Sequence, residues 1–187
     1  MKIERAAWVL VGGRSSRMGS DKAFLETGEG PLASKVGAVA GKVCSQVALV
    51  GDPQKYASLG FPVVPDNFPG LGPLSGIEAA LKASTSDWNL IVACDMPALD
   101  SGIFELLFAE AADSDCAVPR HADGRMEPLC AVYHRRCQPA IEAALTSGIR
   151  KVTEALRVLT VRYVQTDREE AFANWNTPQD LIAHRHG

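Results

Sequence analysis

Short apolar runs alternate along the chain with segments whose apolar residues recur every three or four positions. The runs are typical of buried strands, because they are brief and bounded by Gly, Pro or Asp. The predicted strands are Ala6–Val11, Gln46–Val50, Phe61–Val64, Leu90–Cys94, Cys116–Pro119, Leu129–Tyr133 and Leu159–Val164.

The segments between these strands have helical periodicity. In residues 31–44, apolar side chains follow one another at steps of four, three and four, which places them on one helical face. Asp100 or Ser101 can cap a helix that holds Ile103, and Thr177 can cap a C-terminal helix. The remaining predicted helices are 54–60, the segment marked by Leu74, Ile77 and Leu81, 136–147 and 150–157.

Near-continuous apolar strands separated by helices predict an α/β fold with a mostly parallel sheet covered on both faces. We expect one domain over residues 1–187, because the sequence contains no repeat, low-complexity tract or linker. Sheets of this class bind ligands beyond the carboxyl ends of their strands.

Composition narrows the classes of partner. The net charge of −3 argues against a broad nucleic-acid surface, and no stretch approaches the roughly 20 apolar residues of a membrane helix. The apolar run near the start is too short for a secretory signal, so we expect a cytoplasmic protein. The five cysteines form no C-x-x-C pair, and no two histidines are spaced as a helical metal pair, so neither a disulfide framework nor a zinc site is expected.

The segment Gly12–Lys22 follows the first predicted strand and combines glycines with the cations Arg14, Arg17 and Lys22. Glycines let backbone N–H groups approach a phosphate, and the cations supply donors for its oxygens. The spacing fits neither G-x-x-x-x-G-K-[ST] nor G-x-G-x-x-G, and a solvated surface loop is the alternative. Three cations within nine residues favour a polyphosphate grip.

Asp95 follows the most apolar predicted strand directly and therefore lies at the ligand-binding edge. A single carboxylate beside substrate phosphates is a common way to hold Mg²⁺. The alternative is a turn residue, because Asp-x-Pro turns are frequent. Its neighbour Cys94 is a poor candidate for a nucleophile, since it ends an apolar strand with no evident base.

The third candidate is Asp66, at the end of the third predicted strand, with Gly72 and Gly76 behind it. Asp66 could accept hydrogen bonds from a base or ribose, although a loop stiffened by proline is the better explanation of this segment taken alone. Together, these three loops at three strand ends suit a site that binds phosphates, a metal ion and a nucleoside. The reaction that suits them is phosphoryl or nucleotidyl transfer, in which catalysis is mostly positioning and charge neutralisation.

The residues of these loops resemble the signatures of molybdenum cofactor guanylyltransferases, the MobA family. The first match reads L-V-G-G-x-S-x-R-M-G-x-D-K-A-x-L over residues 10–25. Further segments match in order and extend the resemblance over about residues 6–182. They are Gly72-Pro73-Leu74-x-Gly76-Ile77, Cys94-Asp95-Met96-Pro97, Glu127-Pro128-Leu129-x-Ala131 and Phe172-x-Asn174-x-Asn176-Thr177-Pro178.

The resemblance implies a three-layer, Rossmann-like nucleotidyltransferase fold that transfers GMP from GTP to molybdopterin cofactor, with Mg²⁺ as the metal. It implies that Asp66 meets the nucleoside, Asp95 holds the metal, and Arg17 and Lys22 offset charge on the phosphates. It also allows contact with other cofactor-biosynthesis proteins or molybdoenzyme chaperones. The implied nucleotide contacts are Leu10, Val11, Gly12, Gly13, Lys22, Asp66 and Asp95, and the implied pterin-side residues are Asn174 and Asn176.

The sequence departs from the family pattern at two places. Val11 replaces the usual Ala. Val50 stands where some members carry an Asn that contacts the nucleotide, and the sequence leaves open whether Asp52 takes over that contact. Gly12-Gly13 resembles the guanylyl branch, whereas related cytidylyltransferases carry Ala-Gly. Two other functions stay open, namely cytidylyl or uridylyl transfer to a phosphorylated acceptor and a non-catalytic adaptor that hands over cofactor.

Overall fold

The computed structural model describes residues 4–12 and 21–175, which fold around one seven-stranded sheet. The strand order is β3-β2-β1-β4-β6-β5-β7, and β6 runs antiparallel to both of its neighbours. The prediction of a mostly parallel sheet is confirmed. The strands are β1 Arg5–Leu10, β2 Gln46–Val50, β3 Val63–Val64, β4 Trp88–Ala93, β5 Cys116–Arg120, β6 Cys130–His134 and β7 Val161–Gln165.

Helices cover both faces of this sheet. The α-helices are α1 Leu32–Ala40, α2 Pro53–Tyr56, α3 Pro73–Ala83, α4 Ser101–Glu110, α5 Gln138–Thr146 and α6 Val152–Ala155. Short 3₁₀ helices span Lys22–Phe24, Ala57–Leu59, Arg135–Cys137, Leu156–Val158 and Glu169–Phe172. Among the residues described, no helix has the length and apolar character needed to cross a bilayer.

Alternation along β1 builds the two cores. Ala7 and Val9 pack with residues of α1 and α4, whereas Ala6 and Trp8 pack with residues of α3, α5 and α6. Successive side chains of a strand point to opposite faces, so one buried strand serves both layers. The expected three-layer α/β/α arrangement is therefore confirmed.

The observed elements differ from the predicted ones mainly at their ends. β4 begins at Trp88 rather than Leu90, because the buried Asn89 accepts a 2.9 Å hydrogen bond from the Trp8 indole and so fits inside the sheet. α1 begins after Pro31, which occupies the cap position. Asp100 caps α4 as predicted, since its carboxylate accepts from the amides of Gly102 and Ile103. The predicted C-terminal helix after Thr177 lies outside the described residues.

Candidate active site

The chain leaves β1 toward β2 and β3 on one side, then crosses to β4 on the other side of β1. The carboxyl ends of β1 and β4 therefore border the point where the strand order reverses, which is where open α/β sheets bind ligands. β1, β2, β3 and β4 are mutually parallel, so the residues after each strand meet at one edge. The three predicted loops begin after β1, β3 and β4, so the topology starts all three of them at this edge.

Lys22 and Asp95 meet at the reversal point. The Lys22 Nζ lies 3.4 Å from Asp95 Oδ2, and about a quarter or less of each side chain is exposed, 22% and 24% respectively. Lys22 begins a 3₁₀ helix that Asp21 caps, since Asp21 Oδ1 accepts from the Ala23 amide at 3.0 Å. A cation and a carboxylate are thus presented together from two adjacent strands.

Gly12 turns the chain away from the end of β1. Its φ of 101° lies in the left-handed region that favours glycine. Just before it, the Val11 amide donates to the Val50 carbonyl at 3.0 Å, and the Leu10 carbonyl accepts from the Cys94 amide at 3.3 Å. The backbone of Leu10 and Val11 is therefore tied to both neighbouring strands at the ligand edge.

Asp66 uses both carboxylate oxygens within its own loop. Oδ1 accepts from the Phe68 amide at 2.8 Å, and Oδ2 accepts from the Ser75 hydroxyl at 2.7 Å. Each oxygen keeps a second lone pair, so a nucleoside contact stays a prediction. Behind it, a side chain at Gly76 would meet the Leu10 Cδ2 at 3.1 Å, so that glycine serves the packing of α3 on β1.

A third charged group at this edge, centred on Asp21, was missed from the sequence. The Tyr56 hydroxyl donates to Asp21 Oδ2 at 2.6 Å, and the Lys55 ammonium pairs with the same oxygen. Burial alone would raise the pKa of the Asp21 carboxyl, but the hydrogen bonds from Lys55 and Tyr56 outweigh it and lower that pKa. Asp21 is therefore held as an anion.

The far side of Asp95 is bordered by the C-terminal segment. The Trp175 amide donates to the Asp95 carbonyl at 2.8 Å, which brings Asn174 beside the chain at Asp95. The Ala93 amide also donates to the Leu129 carbonyl at 2.8 Å, so the residues entering β6 run beside those leaving β4. The predicted pterin-side residue Asn174 thus directly precedes a residue that is hydrogen-bonded to the backbone of Asp95.

His121, to which the sequence assigned no role, is buried near this segment. Its Nε2 lies 2.9 Å from Glu127 Oε1, and its ring meets the ring of Phe172 edge to face at 5.3 Å. In the sequence, the spacing of six residues between His121 and Glu127, which a turn can bring together, was the signal that could have indicated this pair. Since Phe172 precedes Asn174 by two residues, the pair ties the C-terminal segment to the ends of β5 and β6.

Other predicted residues are placed as follows. Asp52 caps α2, with Oδ1 accepting from the Gln54 amide at 2.9 Å. Cys94 is buried, and burial raises the pKa of its thiol to about 12, which agrees with the expectation that it is not a nucleophile. All five cysteines are free. Gly13, Arg17 and Asn176 lie outside the described residues.

Comparison with known proteins identifies relatives over most of the chain. Residues 7–161 match the family model described as a MobA-like NTP transferase domain. The chain is 40% identical to a probable molybdenum cofactor guanylyltransferase of Pelotomaculum thermopropionicum, over 98% of this chain and 93% of that protein. It is 34% identical to a protein of the same description from Carboxydothermus hydrogenoformans, over 92% and 90%.

Solved structures show the same architecture. Molybdopterin-guanine dinucleotide biosynthesis protein A from Archaeoglobus fulgidus superposes with a TM-score of 0.80 at 30% identity, covering 95% of both chains. A 2-C-methyl-D-erythritol 4-phosphate cytidylyltransferase from Thermus thermophilus superposes with a TM-score of 0.70 at 18% identity, again over 95% of both chains. At that identity, the second likeness extends to the fold alone.

Proposed function

This chain belongs to the family of MobA-like NTP transferases, and from that premise we propose that it transfers GMP from GTP to molybdenum cofactor, releasing pyrophosphate. The relatives named guanylyltransferase support the choice of substrates. The observation that carries the proposal is the pairing of Lys22 with Asp95 at the reversal point of the sheet, 3.4 Å apart. The free cysteines suit a reducing compartment, so we place the reaction in the cytoplasm.

The strand order supports a division of the edge between the two substrates. Neighbouring strands lie about 4.8 Å apart, so the ends of β3 and β1 are about 10 Å apart, a distance that a nucleoside can span from Asp66 beyond β3. The nucleoside therefore lies over β1 to β3, with the backbone of Val11 and Gly12 beneath it. The acceptor lies on the β6 side, by Asn174, and Asn176 is the second pterin-side residue that the family resemblance implies.

Nucleotidyl transfer in this family implies a divalent metal, and the side chains at the site suit Mg²⁺. Asp95 is a partly exposed carboxylate, and among the described residues no group of three His, Cys, Asp or Glu side chains forms a closed cage. Mg²⁺ takes few ligands from protein and the rest from phosphates and water. When bound at Asp95, the metal would polarise phosphoryl oxygens and offset their charge.

The acceptor supplies the nucleophile. An oxygen of its terminal phosphate, already ionised near pH 7, attacks the α-phosphorus of GTP. The new oxygen–phosphorus bond forms as the bond between the α-phosphorus and the oxygen bridging to the β-phosphate breaks, and pyrophosphate leaves with that electron pair. Lys22 and Arg17 offset the charge that grows on this leaving group.

Product analysis tests the proposal directly. Purified protein is incubated with molybdopterin cofactor, Mg²⁺ and an equimolar mixture of GTP, CTP and UTP, and the products are identified by mass spectrometry. We expect the guanine dinucleotide form and pyrophosphate. Preferential incorporation of CMP or UMP would show that the protein is a cytidylyltransferase or uridylyltransferase instead. If no pyrophosphate is released with any acceptor, the non-catalytic adaptor function would be favoured.

Asp95→Asn tests the role of the carboxylate. The substitution keeps the shape and removes the charge, so we expect turnover to fall by at least about a hundredfold while the fold is retained. Asp113→Asn is the matched control, because Asp113 is exposed and lies between α4 and β5, at the opposite edge of the sheet. An Asp95→Asn variant with the parent's rate would rule out the metal role.

A further inference from the structure

Tyr56 binds Asp21 and lies close to Gly12, the two described residues that border the segment 13–20. Its hydroxyl donates to Asp21 Oδ2 at 2.6 Å. The same hydroxyl lies where a side chain on Gly12 would approach it to 3.4 Å. One phenol thus holds the chain returning at Asp21 and lies beside the chain leaving β1.

Asp21 passes this restraint on to Lys22. Oδ1 of Asp21 caps the 3₁₀ helix that begins at Lys22, while Oδ2 receives the Tyr56 hydroxyl and the Lys55 ammonium. Oδ1 therefore stabilises the local 3₁₀ helix, whereas Oδ2 connects Asp21 to α2. Because Asp21 immediately precedes Lys22, the orientation of its backbone sets the direction in which the Lys22 side chain leaves.

The residues packed around the Tyr56 ring hold it in one orientation. The residue is 2% exposed, and its ring stacks on that of Phe24 with centroids 5.7 Å apart. On the other side Gly51 has no side chain, and a Cβ there would lie 2.9 Å from Tyr56 Cε2. Burial raises the pKa of the Tyr56 hydroxyl above its usual range, so the group stays a donor to the carboxylate.

We propose that Tyr56 is a positioning residue for nucleotidyl transfer, which acts through Asp21 to hold Lys22 where its ammonium meets the nucleotide phosphates beside Asp95. The proposal rests on the proposed function for the identity of the nucleotide. It adds a residue of the short helix α2 to the machinery. It also explains why a buried tyrosine and the closely fitting Gly51 lie together at the carboxyl edge.

Tyr56→Phe removes the hydroxyl and keeps the ring. A hydrogen bond to a charged group is commonly worth enough to change an equilibrium about tenfold, so we expect the KM and the Kd for GTP to rise by about that factor. The KM for the molybdenum cofactor should stay unchanged, because its side of the site does not depend on Lys22. A purely structural role would lower the active fraction and leave both KM values as they were.

A double-mutant cycle tests whether Tyr56 acts through Asp21. The single variants are Tyr56→Phe and Asp21→Asn, and the third protein carries both changes. If the hydroxyl works through the carboxylate, the double variant will bind GTP about as weakly as Asp21→Asn alone. Additive losses would show that Tyr56 acts by another route and would overturn the proposal.

Tyr133→Phe is the matched control. Tyr133 is fully buried, and its hydroxyl donates to the Pro128 carbonyl at 2.8 Å, so the variant likewise loses one hydrogen bond of a buried tyrosine. We expect a similar fall in stability with no change in the KM or the Kd for GTP. If Tyr56→Phe behaves like Tyr133→Phe, the proposal is wrong.

The proposed function can fail separately. If the parent protein makes no guanylylated product, that function is wrong, whereas equilibrium binding of GTP and CTP to the parent and to Tyr56→Phe still measures the effect of the hydroxyl. An unchanged Kd for the nucleotide that the parent binds would overturn the role of Tyr56, whatever that nucleotide is.

Discussion

Gly12 shows how one backbone angle limits the choice of residue at the candidate site. Its φ of 101° is unfavourable for any residue with a Cβ, and a Cβ there would also lie 3.4 Å from the Tyr56 hydroxyl. The first effect acts on stability, and the second acts on the geometry around Asp21. A substitution should therefore affect both stability and nucleotide binding.

Gly12→Ala should lower the free energy of unfolding by about 1–2 kcal/mol and weaken GTP binding, because the strained backbone shifts away from Tyr56. Urea denaturation and GTP titration measure the two effects. Gly148→Ala is the control, since Gly148 has a φ of 90° but nothing within 4 Å of its added Cβ. It should lose similar stability and keep GTP affinity, and equal GTP affinity in both variants would contradict the role assigned to Gly12.

Cys94 lies directly before Asp95 but takes no part in the proposed reaction. Its thiol is buried, and burial raises its pKa to about 12, so almost none is ionised near pH 8. Cys94→Ala should therefore retain the parent's kcat within about twofold, at a stability cost of about 1 kcal/mol. Steady-state kinetics and urea denaturation check both values, and a loss of turnover without unfolding would point to covalent catalysis.

The sequence predicted residues whose chemistry follows a strand end, and it missed residues whose role depends on distant contacts. Asp95 could be identified because it directly follows an apolar run, and Lys22 because it ends the Gly-rich, cationic segment that follows another. Tyr56 could not, since it is separated by 35 residues from Asp21 and belongs to a short helix without a clear apolar face. His121 was similarly hidden, because its burial depends on Phe172.

At the scale of elements, α1 packs so closely on the chain before β3 that one position excludes a side chain. A Cβ on Gly37 would lie 2.7 Å from Phe61 Cζ. Alanine in place of a helical glycine normally gains about 1 kcal/mol, whereas overpacking a core costs about 1–3 kcal/mol. Since the contact falls well inside normal packing distances, the second effect should exceed the first.

Gly37→Ala should therefore reduce stability, and the further substitution Phe61→Leu should restore part of it by making room. Gly41→Ala, at the C-terminal end of α1, provides the comparison, because its nearest neighbour lies at an ordinary 3.5 Å. Urea denaturation midpoints of these three variants and of the parent test the prediction. A Gly37→Ala protein that is more stable than the parent would show that the Phe61 ring moves aside freely.

Apolar runs located all seven strands to within a few residues, yet they carry no information on direction. Leu129–Tyr133 reads like the parallel strands, but the β6 that forms there runs antiparallel, since the turn at 121–126 returns the chain directly beside β5. The 3₁₀ helices Lys22–Phe24 and Glu169–Phe172 were also missed, because three or four residues give no periodicity, whereas the other three overlap predicted helices. These features depend on turns and caps rather than on the hydrophobic pattern.

Across the whole molecule, the two edges of the sheet have different tasks. The carboxyl edge gathers Lys22, Asp66 and Asp95, whereas the amino edge holds a stabilising anchor around Asp115. Oδ2 of Asp115 accepts from the Thr160 amide at 2.8 Å, and Oδ1 accepts from Arg136 Nε at 2.7 Å. These bonds join the start of β5 to the end of β6 and to the start of β7. Substitutions at the amino edge should therefore change stability, whereas substitutions at the carboxyl edge should change activity.

The pH dependence of stability follows from this anchor. The backbone hydrogen bond from Thr160 and the Arg136 side chain hold the pKa of Asp115 below its usual value near 4. A carboxyl with a depressed folded-state pKa adds stability above its unfolded pKa, and that stability is lost as pH falls through the folded pKa.

Asp115→Asn should lower the urea midpoint near pH 7 and flatten its fall below about pH 4, with GMP transfer unchanged. Asp113→Asn, an exposed neighbour, should keep the parent's profile. If Asp115→Asn lowered the kcat of the folded protein, the separation of the two edges would be wrong.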